Sequence, residues 1–362
     1  MPLMRLIPLC FLFFLAGAAF AAEDIRLATW NIERLGQGTN KSFEALGRIG
    51  ADFDFLAVQE VMSAAGLYLF RDALEAESGE SWSLLYSHRV GRGPAYAEKY
   101  AFVWRDSRIR YVDGAVVYLD LLDTLAREPY AARFEVVDGS FRFVAANIHI
   151  LFGRSVHDRL PEIEYLSNLW EWLIETFPDD KDNIFFFGDF NLAPTHEAFS
   201  GLRQHAVPAV TRGATTISTI EGRFANLYDN IWISRSNKLS INYSAIVPFP
   251  RAIGFTHEQA RRHVSDHAPV YVSIASGQFP PRRVGAGRLP VVASKIQPRD
   301  WLPPANEVGP SSTPYQGNRR SMIFHHPECP GYGSVSQGNL VILATREQAL
   351  RAGFRKARNC DW

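Results

Sequence analysis

NIFFFGDFN, residues 183–191, sets four consecutive apolar residues, Ile184 to Phe187, before a glycine and the polar pair Asp189 and Asn191. A run this short and this uniformly apolar reads as a strand buried on both faces. The polar residues at its end are the kind that a loop at a sheet edge presents to a ligand. SFRFVAANIHI (140–150) repeats the pattern upstream and ends on His149. Further outward come IRLATWNI (25–32), DFLAVQEV (54–61), SWSLLYSH (81–88), YAFVWR (100–105), YAARFEVV (130–137), YDNIWIS (228–234) and APVYVSI (268–274). Between them, Val156 to Phe177 carries apolar residues at Leu160, Ile163, Leu166, Leu169, Leu173 and Ile174, the spacing of an amphipathic helix. The expected class is α+β, with two sheets covered by helices.

The polar residues recur at strand ends. Asn31 follows LATW, Glu60 closes FLAVQE, Asp229 precedes NIWIS, and Asp266 with His267 precedes APVYV. One Asn or Asp at a strand end is usually a turn residue. Eight polar residues at six strand ends point instead to loops that converge on a shared site. The segments TWNIERLG, VQEV, ANIHI, GDFN, YDNI and SDHAPV occur in that order from Thr29 to Val270. Together they resemble the endonuclease/exonuclease/phosphatase superfamily, which implies a four-layer α/β/β/α sandwich with the site at one edge of both sheets.

The chemistry of phosphodiester hydrolysis asks for these residue types. A hard cation with oxygen ligands neutralises the phosphate oxygens, and proton carriers serve the water and the leaving oxygen. The resemblance implies that Glu60 is the principal metal ligand, with Asn31, Asp266 and Asp189 beside it, and that Asn191 orients the phosphate. Mg²⁺ is the expected ion, with Mn²⁺ or Ca²⁺ as alternatives. The family pattern also implies two histidine–carboxylate pairs, Glu98 with His149 and Asp229 with His267. His267 is assigned as base and His149 as acid.

The segment GRGPAYAEKYAFVWR (91–105) resembles the deoxyribonuclease I segment in which a tyrosine reaches the DNA minor groove, here Tyr96, ahead of the glutamate that partners a histidine, here Glu98. Arg92 in the same loop is placed on a phosphate. Two departures stand out: Met62 occupies a position where many deoxyribonucleases I carry arginine, and that family's disulfide cysteines are absent. DNA, double-stranded and read without sequence preference, is the expected substrate. A phospholipid or inositol phosphate is the alternative within the superfamily, and a non-catalytic DNA-binding protein the alternative outside it.

The chain has 362 residues and three cysteines. Residues 1–22 read as a signal peptide: Arg5, an apolar run from Leu6 to Leu15, then a cleavage site at Ala19-Phe20-Ala21. The expected location is secreted or periplasmic, and Cys10 leaves with the signal. Residues 23–275 form the expected catalytic domain, and the Pro/Gly/Arg-rich stretch 276–315 a linker. Residues 316–362 form a small basic module. Lys and Arg balance Asp and Glu at 38 each, but from Gly277 onward twelve basic residues face five acidic ones. That leaves an acidic catalytic portion and a basic tail suited to a polyanion. FHHPECPGYG and AGFRKARNC in this module resemble the metal-binding module of the Ada DNA-repair protein. Cys329 and Cys360 fall at plausible ligand positions, and His325 would make a third. In an oxidising compartment a Cys329–Cys360 disulfide is expected ahead of zinc.

Overall fold

The computed structural model describes residues 24–275 except 39 and 94–96, together with 279, 315–326, 332, 334–343, 349–350, 352 and 354–357. The expected signal peptide, Tyr96, most of the linker, Cys329 and Cys360 lie outside the described residues.

The first part of the chain builds β1 (Ile25–Leu35), α1 (Phe43–Gly50), β2 (Phe55–Val61), α2 (Ala64–Ser78), β3 (Trp82–Tyr86) and β4 (Lys99–Arg105). Next come β5 (Ile109–Val117), β6 (Tyr130–Val136), β7 (Arg142–His149), α3 (Leu160–Thr176) and β8 (Ile184–Asp189). The domain closes with α4 (Leu202–His205), β9 (Ala206–Pro208), β10 (Asp229–Ser234), β11 (Ile241–Ile246), α5 (Phe249–Ala252), α6 (His257–His263) and β12 (Val270–Ile274). One six-stranded sheet has the order β11-β12-β1-β2-β4-β3 and the other β5-β6-β7-β8-β10-β9.

The uninterrupted apolar runs are explained by three cores. Between the sheets, Leu27, Phe55, Ala57 and Phe102 meet Phe134, Phe143, Ala145, Phe185 and Phe187. The alternate residues of the same strands face outward. Ala28, Trp30, Leu56 and Val58 pack under the α1 and α2 side chains Leu46, Ile49, Leu67 and Phe70. Val144, Ala146, Ile148 and Phe186 pack under Ile163, Leu166, Leu169 and Trp170 of α3. Each strand therefore needs apolar side chains at both parities. The four-layer α/β/β/α sandwich expected from the motifs is the observed fold.

Strand direction explains why the polar residues gather. Each sheet contains one parallel pair, β1 with β2 and β7 with β8, so the carboxyl ends of each pair lie at one edge. Strands β12, β4 and β10 run antiparallel to β1, β2 and β8, which brings their amino ends to that same edge. The register pairs Asn31 with Gln59 in one sheet and His149 with Asp189 in the other, and Asp189 with Asp229.

Beyond the sandwich, β13 (Tyr315–Asn318), β14 (Ile323–His325), β15 (Leu340–Leu343) and β16 (Arg355–Lys356) form a sheet in the order β15-β13-β14-β16. Phe324, Leu343, Ala349 and Phe354 make a small core against which Leu119 of the sandwich packs. Arg319 approaches Glu128 at 4.0 Å. Among the described residues no helix is long and apolar enough to cross a membrane.

Candidate active site

At the shared edge, two buried histidines face one carboxylate. His149 sets Nδ1 3.1 Å from Glu98 Oε2, and its Nε2 lies 3.5 Å from Asp189 Oδ2. His267 sets Nδ1 2.8 Å from Asp229 Oδ2, and its Nε2 lies 3.7 Å from that same Asp189 oxygen. Each ring is thus anchored through Nδ1 by a carboxylate from the other sheet, Glu98 before β4 for His149 of β7 and Asp229 of β10 for His267 before β12, with both Nε2 atoms turned toward Asp189. All five side chains are buried, Asp229 completely and His267 to 9% exposure.

The electrostatics follow from burial and neighbours. Burial alone pushes the His267 imidazole down, but Asp229 and Asp189 outweigh it and hold the group well above its ordinary value. Burial and the Arg127 guanidinium push His149 down; Glu98 and Asp189 reverse this and leave it raised. For Glu98, burial pushes the carboxyl up, while His149 and Arg127 pull it below the ordinary carboxylate range.

Backbone contacts fix the two dyads in place. The His149 backbone N–H donates to the Tyr100 hydroxyl at 2.9 Å. The His267 N–H donates to Ser265 Oγ at 3.0 Å, and that hydroxyl donates to the Asn31 carbonyl at 2.6 Å. The backbone N–H of Asp229 donates to Thr215 Oγ1 at 3.1 Å. Glu60 and Asn191 adopt φ of 59° and 51°. Non-glycine residues in this region carry a strain of about 1–3 kcal/mol that the surrounding structure must hold.

The remaining residues expected at the site divide into two groups. Asn31 bridges the sheets: its Nδ2 donates to Glu60 Oε1 and to Asp189 Oδ2, both at 3.1 Å. Asn191 donates from Nδ2 to the Ile150 carbonyl at 2.8 Å and from its backbone N–H to Asp189 Oδ1 at 2.9 Å. Asp266 Oδ1 stands 3.9 Å from His267 Nε2, and its other oxygen lies 3.6 Å from Arg261. Arg92 is not brought to this cluster. Its guanidinium donates to the carbonyls of Asp123, Thr124 and Leu125, so it clamps a loop and the expected phosphate contact requires a correction.

The site suits a hard cation. Asp189, Asp229 and His267 each offer a ligand atom within 4.8 Å of the others. Asp229 Oδ1 is buried with no hydrogen-bond partner among the described residues, an acceptor with nothing to accept from. The expected ligands Glu60 and Asn31 border this group through the Asn31 bridge. The donor set is therefore richer in the second sheet than the motifs alone suggested.

One residue escaped the sequence reading. Arg127 is buried, ion-paired to Glu98 Oε2 at 2.9 Å, and donates to the His149 carbonyl at 3.0 Å. It sits in the loop before β6, outside every motif segment. The only signal in the sequence was a lone arginine flanked by TLA and EPY.

Residues 28–267 match the model of the Endonuclease/Exonuclease/phosphatase family. This protein belongs to that family. Family membership together with the relative described next makes it a phosphodiester hydrolase, and the match runs from β1 to the second histidine–carboxylate pair. A protein of Thioalkalivibrio sp. (strain K90mix) named Deoxyribonuclease is 47% identical over 258 residues, covering 70% of this chain and 71% of its own. Deoxyribonuclease-1-like 1 of Sus scrofa is 27% identical over 282 residues, covering 74% of this chain and 85% of its own. A conserved protein of unknown function from Enterococcus faecalis V583 shares the fold, with a TM-score of 0.52 at 16% identity over 70% of this family member and all of that structure.

Proposed function

We propose that the protein is a secreted, divalent-cation-dependent endonuclease that hydrolyses phosphodiester bonds in DNA. The observation that carries this reading is the pair of carboxylate-backed histidines whose Nε2 atoms face the same Asp189 oxygen from two sides. The similarity to deoxyribonucleases supports DNA as the substrate. The leader-like Met1 to Ala22 supports secretion.

Hydrolysis forms one bond from the water oxygen to phosphorus and breaks one from phosphorus to the leaving oxygen, on opposite sides of an in-line displacement. His267 takes the water proton at Nε2, while Asp229 accepts from Nδ1 and stabilises the imidazolium that forms. On the other side, His149 delivers a proton from Nε2 to the leaving oxygen, and Glu98 fixes its tautomer. Asn191, held rigid by the Ile150 carbonyl, orients a phosphate oxygen. Asp189, Asp229 and Glu60 would hold the cation, with Asn31 positioning Glu60 and Asp189 through its Nδ2. When bound, it supplies charge that neutralises the phosphate oxygens and offsets the pull of the carboxylates on His267.

The first test is nicking of supercoiled plasmid and of an end-blocked linear duplex by the mature protein, with Mg²⁺ or with EDTA. Cleavage of both substrates that stops in EDTA and returns with added Mg²⁺ is expected. A folded protein that leaves both intact in Mg²⁺ rejects the reading and directs attention to sphingomyelin and inositol phosphates.

The basic tail is assigned the task of holding the enzyme on its polyanionic substrate. Each phosphate neutralised by Lys or Arg releases a counterion, so binding contacts are read directly as a salt slope. Removing residues 276–362 is expected to weaken DNA binding and to flatten its dependence on salt. Equal slopes for the full and shortened chains would reject a role for the tail in binding.

A further inference from the structure

The loop that follows His149 ends in an exposed aromatic that no step above uses. Phe152 is 55% exposed, three residues beyond His149, at the rim of the site. It is not a loose surface side chain. The buried Arg159 stacks its guanidinium on one face of the ring, with the central carbon 4.1 Å from the centroid. Arg159 Nε donates to the Phe152 carbonyl at 2.7 Å, and its Nη1 donates to the Asn191 carbonyl and to the Tyr228 hydroxyl. One buried cation thus ties the exposed ring to the residue that orients the phosphate and to the neighbour of Asp229. Tyr228 meets Phe152 edge to face, with centroids 6.4 Å apart.

The rest of the loop is equally built. Gly153 turns at φ 64°, and a side chain there would meet the Asp158 Cβ at 2.6 Å. Asp158 Oδ2 accepts the backbone N–H groups of Arg154 and Ser155 at 2.8 and 3.0 Å. The acid is therefore committed to the loop's own backbone, while Arg154 and His157 of the same loop are exposed. An aromatic face interleaved with basic side chains is how proteins hold unpaired nucleotides, because every base offers a π face whatever its identity.

We propose that Phe152 is the stacking platform for the nucleobase that flanks the scissile phosphate, in a strand that is unpaired or locally opened there. The guanidinium of Arg159 occupies one face of the ring and the base takes the other. A base inside an intact duplex has both faces covered, so the platform favours single strands, nicks and frayed ends over continuous double helix. This rests on the reading of the protein as a nuclease.

The test compares wild type with Phe152→Ala, Phe152→Leu and Phe152→Trp on three probes. These are a single-stranded deoxyoligonucleotide, the same strand with tetrahydrofuran residues in place of its nucleosides, and the matching duplex. Phe152→Ala and Phe152→Leu are expected to raise KM on the single strand by about 5- to 150-fold. Phe152→Trp is expected to restore it, and all four proteins to coincide on the base-free strand. Wild-type KM on the single strand for Phe152→Ala, or an equal loss on the base-free strand, overturns the proposal alone. Wild type that cuts none of the three overturns the nuclease reading and this inference together.

Discussion

His267→Asn is expected to keep its fold and to lose about 10²–10⁴-fold in kcat with little change in KM. The substitution is chosen for the Asp229 carboxylate, which is fully buried and takes the His267 Nδ1 as its partner at 2.8 Å. An asparagine amide reaches a similar position to Nδ1 and keeps that carboxylate partnered, whereas alanine would strand a buried charge. What disappears is Nε2, the atom that faces Asp189 and is proposed to receive the proton. Steady-state rates on plasmid DNA, with circular dichroism to verify the fold, measure this. A variant that turns over at the wild-type rate sinks the assignment of His267. His149 carries the matching assignment on the other sheet, and losses in the double variant should be far from additive because both act in one displacement.

Arg127→Met is expected to destabilise the protein by about 3–5 kcal/mol, because it leaves Glu98 buried without its nearest cation. Glu98 has a side chain only 3% exposed, with Arg127 at 2.9 Å and His149 at 3.1 Å. Pairing the change with Glu98→Gln removes the unpaired charge. The double variant should therefore recover most of the stability while losing kcat, since a neutral glutamine replaces the carboxylate that backs His149 Nδ1. Urea unfolding read beside kcat separates the two effects. If Arg127→Met unfolds at the wild-type midpoint, the ion pair contributes nothing to the fold and its role must lie elsewhere.

Much of this site was legible in the sequence because its residues sit at the ends of strands that are apolar on both faces. Phe185, Phe186 and Phe187 alternate between the inner and outer cores, so the run announces a doubly covered strand and Asp189 announces its end. What sequence could not carry was the pairing of strands. Nothing in YDNIWIS says that Asp229 lies opposite Asp189, because register across a sheet is a tertiary fact. Arg127 was hidden for a related reason. It comes from a loop, where neither periodicity nor an adjoining apolar run marks a side chain as inward. The same loop misled the reading of Arg92: a basic residue near a site suggests a phosphate, but three loop carbonyls compete for its guanidinium and hold it.

Strand β12 arrives last in the sandwich yet does not lie at an edge. It inserts between β11 and β1, and the turn leading into it delivers Asp266 and His267. The order of synthesis thereby sets when the site is complete. A chain that has emerged only as far as α6 holds one dyad, an open seam beside β1, and no base. The proposed base joins it only when the final strand closes that seam. Any fragment that ends before Asp266 lacks the proposed base, and the second histidine–carboxylate pair is completed in the same event that completes the first sheet.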